Sequence, residues 1–176
     1  MNFGHDKDAT KLERFRLAFF VVMISIPMDG GATMIFNHIL VPYDGSEPAA
    51  KALDKAMQLV RGGAAGKLTV AHAINLQPVI IADMTFVQPD LYQDQVKEQG
   101  NAVIDKIKQI TGDLPDTAVV VLAGSPADSI VDYAAGNDCD LIVMGSRGLS
   151  SLKEFMVGSV SHNVILHARI PVMIMK

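Results

Sequence analysis

Residues 140–161 read DLIVMGSRGLSSLKEFMVGSVS, and the fold turns on this stretch. Leu141, Ile142, Val143 and Met144 make a short apolar run of the kind that forms a buried parallel strand. Gly145 and Gly148 follow at once, with Ser146 and Arg147 between them. After nine intervening residues come Gly158 and Ser159, and then Val160, Val164, Ile165 and Ala168 at helical spacing. The pattern is G-x2-G-x9-G-S between a strand and a helix. Glycines there let the backbone approach a ligand closely and take a positive φ. A helix start offers unpaired N–H groups and the positive end of a dipole, which suits phosphate. The functional reading is a cradle for a nucleotide's phosphates and ribose. A plain surface loop is the competing reading, since glycine and serine are common in turns. The strand before and the helix after favour the cradle.

Alternation of strand and helix continues outward on the N-terminal side. Residues 35–41 read as a first strand, ended by Pro42-Tyr43-Asp44-Gly45-Ser46. Ser46 suits a helix N-cap, with Glu47 in the positive first turn. Ala49, Ala52, Leu53, Ala56, Leu59 and Val60 give that helix its apolar stripe, and Gly62, Gly63 and Gly66 stop it. Residues 68–74 are a second strand. Residues 75–88 carry no clear period and read as a long loop packed over the domain, or a lid. A helix over 90–111 follows, with Val96, Val103, Ile104, Ile107 and Ile110 as its buried stripe and Gly112 as its C-terminal cap. Residues 118–123 are a third strand. Ser125 and Pro126 open the next helix, and Gly136 lies past its end. The fourth strand is 141–144, the fourth helix starts near Gly158, and residues 170–175 form the last strand.

Near-continuous apolar strands joined by amphipathic helices imply an α/β protein: an open five-stranded parallel sheet with helices on both faces. Ligands of such sheets lie beyond the carboxyl ends of the strands, where the strand order reverses. Asp44, Ala73 and Gly145 sit at or near three such ends and can converge on one crevice.

Composition sets outer limits. At 176 residues, with 49% apolar and 19% charged side chains, the chain suits one globular domain. A net charge of −4 provides no basic field for nucleic acid. The single cysteine, Cys139, rules out an internal disulfide framework, fits a reducing cytoplasm and reads as a small core residue. A catalytic thiol is the competing reading. His38, His72, His162 and His167 show no metal-ligand spacing.

Residues 1–33 differ from the rest. Lys11, Arg14 and Arg16 precede an apolar run, 17–28, interrupted by Ser25 and Pro27. The run falls short of the ~20 apolar residues a membrane-spanning helix needs. It has the form of a signal-peptide core, with Gly30, Gly31 and Ala32 behind it. Three readings compete: an export signal, a membrane-surface or partner-docking helix, and sequence upstream of a natural start at Met34. The third is favoured, which leaves 1–33 as an extension outside the fold and 34–176 as the domain.

Residues 39–46, ILVPYDGS, resemble the opening of the universal stress protein family, and 140–148, DLIVMGSRG, its fourth strand and loop. The G-x2-G-x9-G-S spacing resembles the family's ATP-binding signature, and Pro171-Val172-Met173-Ile174 its closing strand. The resemblance covers 34–176. It implies a Rossmann-like, adenine-nucleotide alpha hydrolase-like sheet of order 3-2-1-4-5, and a homodimer; in that order the apolar strand 170–175 lies at a sheet edge, where a second copy would pair. It implies ATP as cofactor, with adenine or ribose contacts at Pro42 and Asp44 and a backbone contact to adenine at Ala73. Ribose and phosphate contacts fall on Gly145, Arg147, Gly148, Gly158, Ser159 and Val160. Ser161 adds a hydroxyl at the same helix start. Any Mg2+ would be carried by the phosphates. Arg147 and Lys153 could meet phosphate or stay solvated.

The expected function is a cytoplasmic, nucleotide-dependent regulatory module of stress adaptation, with no catalytic residues, no nucleic-acid partner and no membrane span. An ATPase or phosphotransferase using the same pocket is the alternative. Against it, no G-x4-G-K-[ST] loop and no evident base accompany the glycines. A nucleotide-free dimeric scaffold, or a sensor of another adenine nucleotide, is the third reading.

Overall fold

In a computed structural model, five strands line up side by side in one sheet that buries apolar side chains on both faces. The described residues are 34–75, 79–81, 84–86, 101–112, 114–148 and 157–176. Expectations for residues 1–33, the first half of the 90–111 helix and Lys153 lie outside them.

Seven strands and four helices are described. Strand β1 is Phe36–Pro42, helix α1 is Glu47–Arg61 and β2 is Ala65–Ile74. Strands β3, Val79–Ile81, and β4, Met84–Phe86, pair antiparallel. Helix α2 is described over 101–111. Strand β5 is Thr117–Ala123, α3 is Pro126–Gly136, β6 is Leu141–Gly145, α4 is Ser159–His167 and β7 is Val172–Met175. The main sheet runs β5-β2-β1-β6-β7, all parallel. Counting only its own strands, that order is 3-2-1-4-5, as expected. The reversal falls between β1 and β6, where Ile39 faces Leu141 and Leu40 faces Ile142.

Two apolar layers cover the sheet. On one face Leu53, Ala56 and Met57 of α1 and Ile107 of α2 pack on Ile39, Val41, Leu68, Val70 and Val143. On the other, Ile130 and Ala134 of α3 and Val164 of α4 pack on Leu40, Ala71, Ile142 and Met144. Leu40, Leu53 and Ile142 are fully buried, and such a side chain contributes about 1.5–3 kcal/mol of transfer free energy. Ser46 caps α1 by accepting from the Ala49 N–H at 3.3 Å, as its position predicts.

Several expectations need correction. Gly66 does not end α1; it lies inside β2, whose pairing with β1 begins at Ala65 opposite Phe36. The 75–88 stretch contains the β3–β4 pair, which a search for longer periods passes over. Ser125 sits at the N-cap of α3 but its hydroxyl makes no capping bond, and Gly136 is the last helical residue rather than one beyond the end. Ile110 is not part of the buried stripe: it is 37% exposed, whereas Ile107 and Thr111 are buried. The hydroxyl of Thr111 is satisfied by the Ile107 carbonyl at 3.0 Å. The last strand starts at Val172, two residues later than expected. Among the described residues no helix is long and apolar enough to cross a membrane.

Candidate functional site

Every strand of the main sheet points its carboxyl end the same way, so the loops after β1 and β6 meet at the order reversal. They enclose a crevice of about 350 Å³. All ten residues singled out in the sequence line it: Pro42, Asp44, Ala73, Gly145, Arg147, Gly148, Gly158, Ser159, Val160 and Ser161. Six others join them, namely Tyr43, Ala49, Ala71, Pro126, Ile130 and Met144. Tyr43 and Met144 lie within the quoted motifs but were not singled out; no motif points to Ala49, Ala71, Pro126 or Ile130. Pro126 and Ile130 are one turn apart on α3 and enter only because that helix packs over β2 and β5. Together with Ala71, Ala73 and Met144 they give the crevice an apolar floor, while Asp44, Arg147 and Ser159 make its polar rim.

The loop after β1 is shaped by its own hydrogen bonds. Gly45 takes φ +86°, a value strained for any side chain. That turn lets Asp44 Oδ1 accept the Ser46 N–H at 3.0 Å. The Ser46 hydroxyl donates to the Arg147 carbonyl at 3.4 Å, which links the β1 loop to the β6 loop. Behind them Tyr43 is buried, its N–H bonded to the Ala71 carbonyl at 2.8 Å and its own carbonyl bonded to His72 Nδ1 at 2.8 Å. That hydrogen bond orients the His72 ring. At the start of α1, Lys51 lies 2.9 Å from Glu47. The hydrogen bond and charge of Lys51 hold the Glu47 carboxyl below its ordinary value.

Helix α4 supplies the N–H groups. Its first intrahelical donor beyond the cap is His162, bonded to the Gly158 carbonyl at 2.8 Å. The N–H groups of Ser159, Val160 and Ser161 precede it, and an α-helix leaves such groups without an intrahelical acceptor. The Gly158 N–H is used, donating to the Ser146 carbonyl at 2.8 Å. So is the Ser161 hydroxyl, which is buried and donates to the Gly145 carbonyl at 2.9 Å. The expectation that Ser161 offers its hydroxyl proton to phosphate is therefore corrected; its N–H remains.

The glycines also act differently from expectation. None of Gly145, Gly148 and Gly158 has a positive φ. Close packing accounts for them instead. A Cβ on Gly145 would lie 2.8 Å from the Ala49 nitrogen and the Pro48 carbonyl carbon, so β6 and the start of α1 touch there through backbone. A Cβ on Gly158 would meet the Arg147 Cα at 3.3 Å.

Cys139 lies at the opposite end of the sheet, buried, with its sulfur 3.5 Å from His38 Nδ1. Burial pushes its thiol up to about 11, so it is protonated at neutral pH and unsuited to nucleophilic work. His38 bonds the Asn137 carbonyl at 2.9 Å and the Thr69 hydroxyl at 2.8 Å, as a core histidine does. Among the described residues no cluster of three histidine, cysteine or acidic side chains could hold a metal ion.

Comparison with known proteins agrees with this architecture. The family model described as the universal stress protein family matches residues 35–176. The chain is 35% identical over 150 residues to the universal stress protein YxiE of Bacillus subtilis, covering 81% of this chain and all of that one. It is 31% identical over 166 residues to the stress response protein NhaX of the same organism, covering 80% of this chain and 98% of that one. The solved universal stress protein UspA from Lactobacillus plantarum superposes with a TM-score of 0.68 at 26% identity, over 82% of this chain and all of that one. A universal stress protein solved in complex with cAMP superposes with a TM-score of 0.59 at 27% identity, over 81% of this chain and 98% of that one. With the family model spanning the whole α/β sheet and the crevice at its strand reversal, this chain belongs to the universal stress protein family.

Proposed function

We propose that this protein binds an adenine nucleotide, ATP in the first instance, in the crevice between β1 and β6, and acts as a nucleotide-dependent regulatory module of stress adaptation in the cytoplasm. The observation that carries the reading is the start of α4. Three successive N–H groups, on Ser159, Val160 and Ser161, open into a crevice whose other wall is the Gly145–Arg147–Gly148 turn. Such an arrangement suits a chain of phosphates. The apolar floor of Ala71, Ala73, Ile130 and Met144 suits a flat base, and the half-buried Asp44 carboxylate suits a hydroxyl or amino donor. The related protein solved with cAMP supports an adenine nucleotide as the ligand class. Magnesium would enter on the phosphates.

The role is binding rather than turnover. Rapid phosphoryl transfer needs an aligned nucleophile and concentrated positive charge; the described crevice wall offers one cationic side chain, Arg147. We assign this function to residues 34–176, without a contribution from 1–33. Isothermal titration with ATP and magnesium, alongside a steady-state phosphate-release assay, tests the proposal. Saturable binding with turnover slower than about 1 s−1, the bottom of the usual enzyme range, supports it. Absence of binding to ATP, ADP, AMP and cAMP overturns it, and fast turnover moves the protein to the ATPase class.

A further inference from the structure

Of the three glycines in the crevice, Gly148 stands apart in what it leaves room for. At Gly145 an added Cβ would strike the backbone of α1, and at Gly158 the backbone of Arg147. At Gly148, among the described residues, the only atoms in the way belong to one carboxylate: Asp44 Oδ2 at 2.5 Å and Asp44 Cγ at 3.7 Å. Contacts that close do not occur between a real Cβ and a carboxylate oxygen. Positive φ does not explain this glycine, because Gly148 has none. Space for the carboxylate does.

The other side of that carboxylate is also held. Its Oδ1 accepts the Ser46 N–H at 3.0 Å, and the Ser46 hydroxyl donates back to the Arg147 carbonyl at 3.4 Å, next to Gly148. The Asp44 plane is thus set between an N–H on the β1 loop and a bare Cα on the β6 loop, with Oδ2 toward Gly148.

We infer that Gly148 is a positioning residue for Asp44: its lack of a side chain, rather than a contact of its own with ligand, fixes the direction in which the carboxylate faces the crevice. A methyl group at 148 would meet the tip of a short side chain, which can turn. The fold would lose little. The carboxylate would rotate, give up the Ser46 N–H and lose its set direction toward the ligand. The consequence for affinity rests on the nucleotide reading above; the geometric interlock does not.

A four-protein cycle on the full chain tests this: wild type, Gly148→Ala, Asp44→Ala and the double variant. In ligand-free protein, the Ser46 amide resonance in a proton–nitrogen correlation spectrum reports the Oδ1 bond. Gly148→Ala should move it toward its position in Asp44→Ala, and adding Gly148→Ala to Asp44→Ala should leave it in place. Titration with ATP and magnesium should show about a tenfold loss for Gly148→Ala in the wild-type background, and less than about twofold in the Asp44→Ala background, as expected of coupled neighbours. Equal losses in both backgrounds, or an unmoved Ser46 resonance, overturn the inference. So does a melting temperature for Gly148→Ala well below wild type that Asp44→Ala does not restore. If wild type binds no nucleotide, the functional proposal fails while the Ser46 resonance still decides the interlock.

Discussion

The hydroxyl of Ser161, in the first turn of α4, donates a 2.9 Å hydrogen bond to the carbonyl of Gly145 at the end of β6. One buried contact thereby sets the helix start that offers N–H groups against the strand end that opens the phosphate turn. Ser161→Ala would leave the Gly145 carbonyl without this donor, at a cost of about 1–3 kcal/mol. Urea unfolding should show that loss, with threonine at 161 recovering most of it. A stability unchanged by alanine would mean the bond does not hold α4 in place.

Gly145 is the glycine on which the fold depends. Gly145→Ala would drive a methyl group into the Pro48–Ala49 backbone at 2.8 Å. Neither β6, buried in mid-sheet, nor α1, packed on that sheet, can give way cheaply, so the cost should be about 1–3 kcal/mol or more. Thermal melting of Gly145→Ala beside Gly148→Ala makes the comparison. The 145 variant should melt clearly lower, because the atom crowded at 148 is a side-chain tip.

If the crevice holds a nucleotide, Asp44→Ala should weaken ATP binding by about 1–3 kcal/mol through loss of a charge-assisted hydrogen bond. Gly158→Val should abolish it. The valine presses on the Arg147 Cα, 3.3 Å from the Cβ position, and displaces the β6 loop as well as crowding the helix start. Some stability should go with the affinity. Calorimetric titration and melting on the same samples measure both, and wild-type affinity in Gly158→Val would place the phosphates elsewhere.

Cys139 yields a prediction about pH. Burial raises its thiol from an ordinary 9.0 to about 11 in the folded protein. Unfolded chains lose the proton first, so the unfolded state binds fewer protons as pH climbs between these values. The sign is therefore a stability fully present below pH 9 and lost progressively as pH rises through 11. Cys139→Ala should remove that part of the alkaline slope in urea midpoints. Alkylation of native wild type by iodoacetamide at pH 8 should be slow and should speed up on unfolding; fast native labelling would contradict the burial.

Among the described residues, strand β7 ends the sheet, pairing with β6 alone. The Pro171 and Met175 carbonyls accept from Ile142 and Ser146, so alternation along a parallel ladder turns the backbone groups of Val172 and Ile174 outward. An edge of that kind invites a second copy, and a two-fold axis would pair it with itself. The protein should sediment as a dimer at about 10 μM, an affinity near −7 kcal/mol. Ile174→Pro removes an outward N–H and should yield monomer. Lysine substitutions at Val172 or Ile174 would be poorer probes, since both side chains pack on the protein's own core. A monomeric wild type at that concentration defeats the idea.

The alternation of strand and helix and the place of the crevice were legible in the residues alone, for a physical reason; the strand order 3-2-1-4-5 came only with the family resemblance. Apolar runs such as 141–144 can satisfy their backbone only in a sheet covered on both faces, and glycines right after such a strand mark where chain and ligand come close. Capping by Ser46 and the helix start at Gly158 are likewise local chemistry, settled within three or four residues. What each polar group does was not legible. Whether Ser161 spends its hydroxyl on a ligand or on Gly145 depends on how β6 and α4 approach, across sixteen residues of chain. Whether Gly148 gives room to a phosphate or to Asp44 depends on two loops more than a hundred residues apart, and no spacing rule spans that distance. The apolar floor from Ala71, Pro126 and Ile130 arises only when α3 is laid over the sheet. Local periodicity determines which elements exist and which faces they bury; hydrogen-bond partners and steric neighbours are decided by packing, so only the tertiary structure could assign them.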